Sequence, residues 1–161
     1  MITENLGTYL KEHFAGSVGA VELLDHLIGT HSGGPLESFF IQLRTEIAAD
    51  QDELRDLMHA LEVKESTVKN AGAWMAEKFA QVKLRFDGEK QDGLALLQAF
   101  EALVLGITGK LLLWRALEAA VKDSAQLRPM DFKRLQQRAL EQRDRVEAKR
   151  LETARQIFIS G

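Results

Sequence analysis

Leu94-Ala-Leu-Leu-Gln-Ala-Phe-Glu-Ala-Leu-Val-Leu-Gly-Ile-Thr-Gly-Lys-Leu-Leu-Leu-Trp114 is the most apolar stretch of the chain, and its reading decides the fold. Glu101 and Lys110 interrupt it. Two charges at that depth favour a buried helix of a water-soluble protein over a membrane span. At 100° per residue the apolar side chains cover more than half the helix circumference: Leu97, Phe100, Val104, Ile107, Leu111 and Trp114 form the centre, with Leu94 and Leu112 beside them. A helix apolar over that width needs several neighbours, so it is expected to be central or to lie at a dimer interface.

Four breaks frame this helix and the rest of the chain. They are Gly29-Thr-His-Ser-Gly-Gly34 ahead of Pro35, a short one at 63–66 where Ser66 could cap the next helix, 87–93 with Gly88 and Gly93, and 123–129. The two prolines, Pro35 and Pro129, stand where helices are expected to begin. The spacing predicts helices over 2–28, 35–62, 66–86, 93–122 and 130–158. No segment alternates with period two and β-branched residues do not cluster, so strands are not expected. The first helix offers a stripe of Leu6, Leu10, Phe14, Val21, Leu24 and Ile28. The second offers Leu36, Phe40, Leu43, Ile47, Leu54, Leu57 and Leu61. The third offers Val68, Met75, Phe79, Val82 and Phe86, and the last a thin one of Phe132, Ala139, Val146, Ala154 and Ile157.

A length of 161 residues suits one domain over 1–161 and is enough to bury a core without staples. The chain has no cysteine, which excludes thiolate zinc sites, iron–sulfur clusters and thiol catalysis and fits a reducing cytoplasm. A net charge of −3 gives no drive toward nucleic acid or anionic lipid. Met1 to Leu10 carries no basic cluster ahead of an apolar run, so no signal peptide is expected there.

Helices of this length joined by short turns predict an all-α antiparallel four-helix bundle with an additional crossover helix. The layout of two long helices, a crossover and two more long helices resembles the ferritin-like superfamily. That resemblance is one of architecture and spans nearly the whole chain. It implies a di-iron centre built from a Glu on two helices and Glu-x-x-His on the other two, and here the sequence departs from the pattern. None of the four histidines lies three residues after a Glu. The nearest approach, Asp56 with His59, faces away from Leu54, Leu57 and Leu61. In the last helix Glu141-Gln-Arg-Asp144 takes the motif's place and carries the cation Arg143. Glu46 and Glu101 lie at stripe margins where the family's carboxylates sit, whereas Glu12 lies outside its stripe. No metal and no cofactor is therefore expected.

Charged residues inside the apolar stripes are more informative, because an isolated ion in a core costs several kcal/mol. Asp50 falls between Ile47 and Leu54, and Arg143 and Arg150 fall between Ala139, Val146 and Ala154. Glu118 lies one turn beyond Trp114, and His13 and Ser17 lie among Leu10, Phe14 and Leu24. The expectation is a buried network in which Arg143 reaches Asp50, with Glu118 or His13 joining it. The alternative is that the arginine stems cover the stripe while their heads reach water. Charge supports pairing of the second and last helices. From 35 to 62 seven acids face Arg44 and Arg55, a balance of −5, and 130–158 carries +3. Gly106-Ile-Thr-Gly109-Lys110 lacks the spacing and strand of a phosphate loop. Its glycines, like Gly16 and Gly19, are expected to allow close backbone approach. Trp74 and Trp114 read as packing residues or interface anchors.

Three functional readings remain at this level. The expected one is a metal-free ferritin-like bundle in a structural or protein-interaction role, a cytoplasmic homodimer without nucleic-acid or membrane partners, with enzymatic activity left open but not favoured. The second is a di-iron or di-manganese oxidase, or an iron-handling protein, with an irregular site of Glu46, Asp50 and Glu101. The third is a binder of a small apolar ligand between helices, which a pocket at Phe40, Phe100 and Trp114 would favour.

Overall fold

The computed structural model describes residues 2–65, 77, 79–82 and 93–159. Among the described residues four long helices carry the fold: α1 (Glu4–Thr30), α2 (Glu37–Ala60), α3 (Gly93–Ala120) and α4 (Phe132–Ile159). Two short 3-10 turns, Val121–Asp123 and Ala125–Leu127, join α3 to α4. No strand occurs among the described residues. The expected helix 66–86 lies mostly outside them, including Ser66, Val68, Trp74, Met75 and Phe86. Residues 77 and 79–82 of it are helical, with Phe79 and Val82 buried.

Short polar residues start two of the helices. Thr3 Oγ1 accepts from the Leu6 amide at 3.2 Å, and Asp131 Oδ1 accepts from the Arg134 amide at 3.1 Å, satisfying amide groups that have no partner within the helix. Pro35 and Pro129 sit in the turns just ahead of α2 and α4 rather than inside them. The turn before α2 needs Gly33, whose φ of 77° is favourable for glycine alone, and the Gly33 amide donates to Glu37 Oε2 at 2.6 Å.

Side-chain pairs show how the helices lie. Along α1 and α2, Gln51 donates to Ser17 at 2.9 Å and Arg44 pairs with Asp25, so numbers rise in one helix as they fall in the other. Along α3 and α4, Gln136 donates to Glu118 at 2.7 Å and Arg150 lies 3.7 Å from Glu101. The acidic α2 and basic α4 meet through Glu46–Arg145 at 2.6 Å and Glu53–Arg134 at 2.7 Å.

The buried apolar residues fall into two clusters. One gathers Leu24, Phe40, Ile47, Phe100, Ile107 and Val146 with their neighbours. The other gathers Leu10, Leu54, Met58, Trp114, Leu117 and Leu135. On α2 the division falls between Ile47 and Leu54, and on α1 between Leu10 and Ala20. The expected stripes hold best on α2. On α1 the buried face is turned toward Ala20, Leu23 and Leu27, leaving Val21 and Ile28 half-buried. On α3, Leu94 and Leu112 are exposed, at 43% and 54%. By length and composition α3 could cross a membrane, but Leu97, Phe100, Leu103, Ile107, Leu111 and Trp114 among others are buried against protein.

The glycines divide into two kinds. A Cβ on Gly19 would stand 2.8 Å from Phe79 Cδ2, so that glycine makes room for a side chain and not for the backbone approach expected of it. A Cβ on Gly109 would meet nothing within 4 Å, and the expectation of close backbone contact there is wrong. Gly109→Ala is therefore expected to raise stability by about 0.5–1 kcal/mol through helix propensity. Gly19→Ala should lower it by about 1–3 kcal/mol through overpacking. Denaturant titration of the two variants checks both signs.

Candidate functional site

Between the two apolar clusters lies a polar layer contributed by three helices. Asp50 of α2 is only 2% exposed and Gln142 of α4 is fully buried. Lys110 Nζ of α3 donates to Asp50 Oδ2 at 2.6 Å and to Gln142 Oε1 at 2.5 Å. Gln142 Nε2 donates back to the same Asp50 oxygen at 2.9 Å, so the three side chains close a ring. The other carboxylate oxygen, Oδ1, has no hydrogen bond, but Arg138 Nη2 of α4 stands 3.2 Å from it. Burial pushes the Lys110 ammonium below its ordinary range. The charge of Asp50 opposes that shift and the charge of Arg138 adds to it.

A cavity of about 410 Å³ opens beside this ring. Asp50 and Lys110 form part of its wall, together with Gln51, Ser17 and His13. Ile47, Leu54, Leu103, Ile107 and Leu113 supply the apolar part. Gly16 on α1 and Gly106 and Gly109 on α3 also face it, so the space exists where side chains are missing. Trp114 lies on the wall one turn beyond Lys110, and its buried Nε1 has no hydrogen-bond partner. Ser17 Oγ donates to the Phe14 carbonyl at 2.6 Å and accepts from Gln51. Desolvation lowers the His13 pKa, which keeps the ring neutral at pH 7. Its edge contact with Tyr9, at 4.6 Å between ring centres, fixes it against α1.

The expected membership of the network needs correction. Arg143 does not reach Asp50. It is on the outside of α4, where its nearest carboxylate is Asp144 at 3.5 Å. The buried face of α4 runs through Leu135, Ala139, Gln142 and Val146, so the neighbouring residue points inward in its place. Glu118 accepts from Gln136, one hairpin end away from the ring. His13 shares the cavity wall with Asp50, but no hydrogen bond joins the two. Sequence reasoning missed Lys110, Gln142 and Arg138. Lys110 carried the one available signal, as a cation inside the most apolar helix.

The carboxylates of the irregular metal site are spread apart and held by cations. Glu46 forms a two-pronged pair with Arg145, at 2.6 and 2.9 Å. Asp50 is held by Lys110 and Arg138, and Glu101 faces Arg150. Among the described residues no three His, Asp or Glu side chains come together as metal ligands would. The Phe40–Phe100 stack, at 5.7 Å, lies within the first apolar cluster and not at the cavity, so of the three aromatic residues expected to line a pocket only Trp114 does so. No family profile, curated protein or solved structure matches the chain.

Removing one partner from a buried pair strands the other charge, at a cost of about 3–5 kcal/mol. Lys110→Met is expected to destabilise the protein on that scale, lessened where Arg138 takes over. Asp50→Leu together with Lys110→Met should recover most of the loss, because the one cation left, Arg138, is 26% exposed and keeps its bond to the Glu46 carbonyl. A double-mutant cycle from chemical denaturation measures the coupling.

Proposed function

We propose that the protein is a small-molecule-binding helical bundle that takes a mainly apolar ligand into the cavity between α1, α2 and α3. The observation that carries this reading is the cavity itself, about 410 Å³ in size and walled by leucine and isoleucine with a few polar groups at one side. That size and lining are typical of small-molecule sites between helices. The bundle is read as antiparallel, with ferritin-like connectivity in which the 61–92 segment joins two hairpins. In this reading the inner carboxylates are neutralised by Lys110, Arg138 and Arg145 and no metal is held there. The burial of α3 against protein supports a water-soluble molecule, and a cysteine-free chain fits a reducing cytoplasm.

Octanol tests the reading directly. A ligand at a hundred times its dissociation constant stabilises by about 2.7 kcal/mol, so the thermal midpoint should rise with octanol concentration. Gly109→Phe, which fills the cavity from a position with free space, should abolish the rise. A wild-type midpoint unmoved by octanol would leave a structural role as the better reading.

The exposed side of α3 supports a second property, a homodimer. Leu94, Leu105 and Leu112 are 43%, 40% and 54% exposed and lie on one helical face at spacings that return to the same direction. Light scattering on a size-exclusion column should give twice the 18.0 kDa chain mass, and Leu105→Glu with Leu112→Glu should give the monomer. A monomeric wild-type protein would reject the dimer without touching the cavity.

A further inference from the structure

We infer that the ligand of this cavity is an apolar molecule bearing a carboxylate, seated at Lys110 and Trp114; the inference rests on the small-molecule reading above. Hydrogen bonding at the polar wall is unbalanced toward donors. An ammonium has three hydrogens, and the ring with Asp50 and Gln142 uses two of those on Lys110. The Lys110 side chain keeps 15% of its surface accessible, so its remaining hydrogen has room for an acceptor. One helical turn away on the same face of α3, the Trp114 indole N–H is buried without a partner. A buried donor left unpaired is costly, and both donors belong to side chains that line the cavity.

Charge points the same way. Asp50 is one negative charge held by two positive ones, Lys110 and Arg138. The nearby Glu46 is balanced by its own partner Arg145. The layer therefore carries one uncompensated positive charge in a desolvated setting, which a carboxylate would neutralise. The acidic group of α1 on the wall does not reverse this balance. Glu12 is half-exposed, and it stands five residues, about 7.5 Å along the helix, from Ser17, which Gln51 holds at the level of Asp50. His13 is neutral and adds no charge. Leu54, Leu103, Ile107 and Leu113 are left to receive the apolar tail.

Calorimetric titration of the whole protein with octanoate, octanol and octylamine tests the assignment. The three share one tail and differ in the head. Octanoate is expected to bind at least about tenfold more tightly than octanol, with octylamine weakest. Trp114→Phe, which keeps an aromatic ring and deletes the N–H, should narrow the octanoate preference. Lys110→Gln, which keeps an amide donor for Asp50 and leaves that carboxylate balanced by Arg138 alone, should erase it while octanol still binds. Equal binding of octanoate and octanol by the wild type would overturn the carboxylate assignment and leave the cavity reading standing. An octanoate preference that survives in Lys110→Gln would also overturn it. If none of the three binds, the small-molecule reading fails and the inference falls with it.

Discussion

One carboxylate oxygen fixes the relation of three helices. Asp50 Oδ2 receives both the Lys110 ammonium and the Gln142 amide, and Gln142 turns its other end to the same ammonium. Sliding α3 or α4 by a single residue against α2 would break two of these three bonds at once. It would also leave the carboxylate of Asp50, 2% exposed, without its partner. The apolar clusters on either side impose no such penalty, since leucine against leucine tolerates many registers. A buried ion pair of this kind adds little net stability over a well-packed apolar layer. What it supplies is selection of one alignment, because every alternative strands a charge.

The same layer explains why the core is divided and why space remains in it. Apolar side chains cannot run continuously through a level occupied by Asp50, Lys110 and Gln142, so one cluster ends at Ile47 and the other begins at Leu54. Beside larger lining residues, α1 contributes the small Gly16, Ser17 and Ala20, and α3 contributes Gly106 and Gly109. Polar residues on one wall and missing side chains on the other leave a chamber where a continuous leucine stripe would have closed it. Cavity and ring are thus two sides of one arrangement, and a ligand in the chamber would be in contact with the residues that set the helix register.

How much of this could be read in the sequence depended on how sharply each helix is divided. On α2 the apolar stripe is narrow and flanked by acids, so its buried face and the inward position of Asp50 follow from spacing alone. On α4 the stripe is thin, and residues 142 and 143 are equally consistent with Ala139 and Val146. The choice turns on a rotation of a few tens of degrees, set by the packing of α3 against α4, and spacing cannot resolve it. On α3 nearly every direction is apolar, so periodicity could not separate Leu111 and Leu113, which are buried, from Leu112, which is exposed. The cavity had the weakest signal, because glycine in a helix is compatible with close packing at Gly19 and with open space at Gly109.

The sequence separations within the ring carry a kinetic meaning. Asp50 lies 60 residues from Lys110 and 92 from Gln142, whereas Lys110 and Gln142 are 32 apart. The α1–α2 and α3–α4 hairpins each close over a short span, and loop-closure entropy favours the shorter loops first. The two halves of the chain can therefore take shape while Asp50, Lys110 and Gln142 are still hydrated. Docking of one half on the other must then desolvate these three side chains together. The ring would then act as a late checkpoint in assembly, passed only by chains whose hairpins have docked in register.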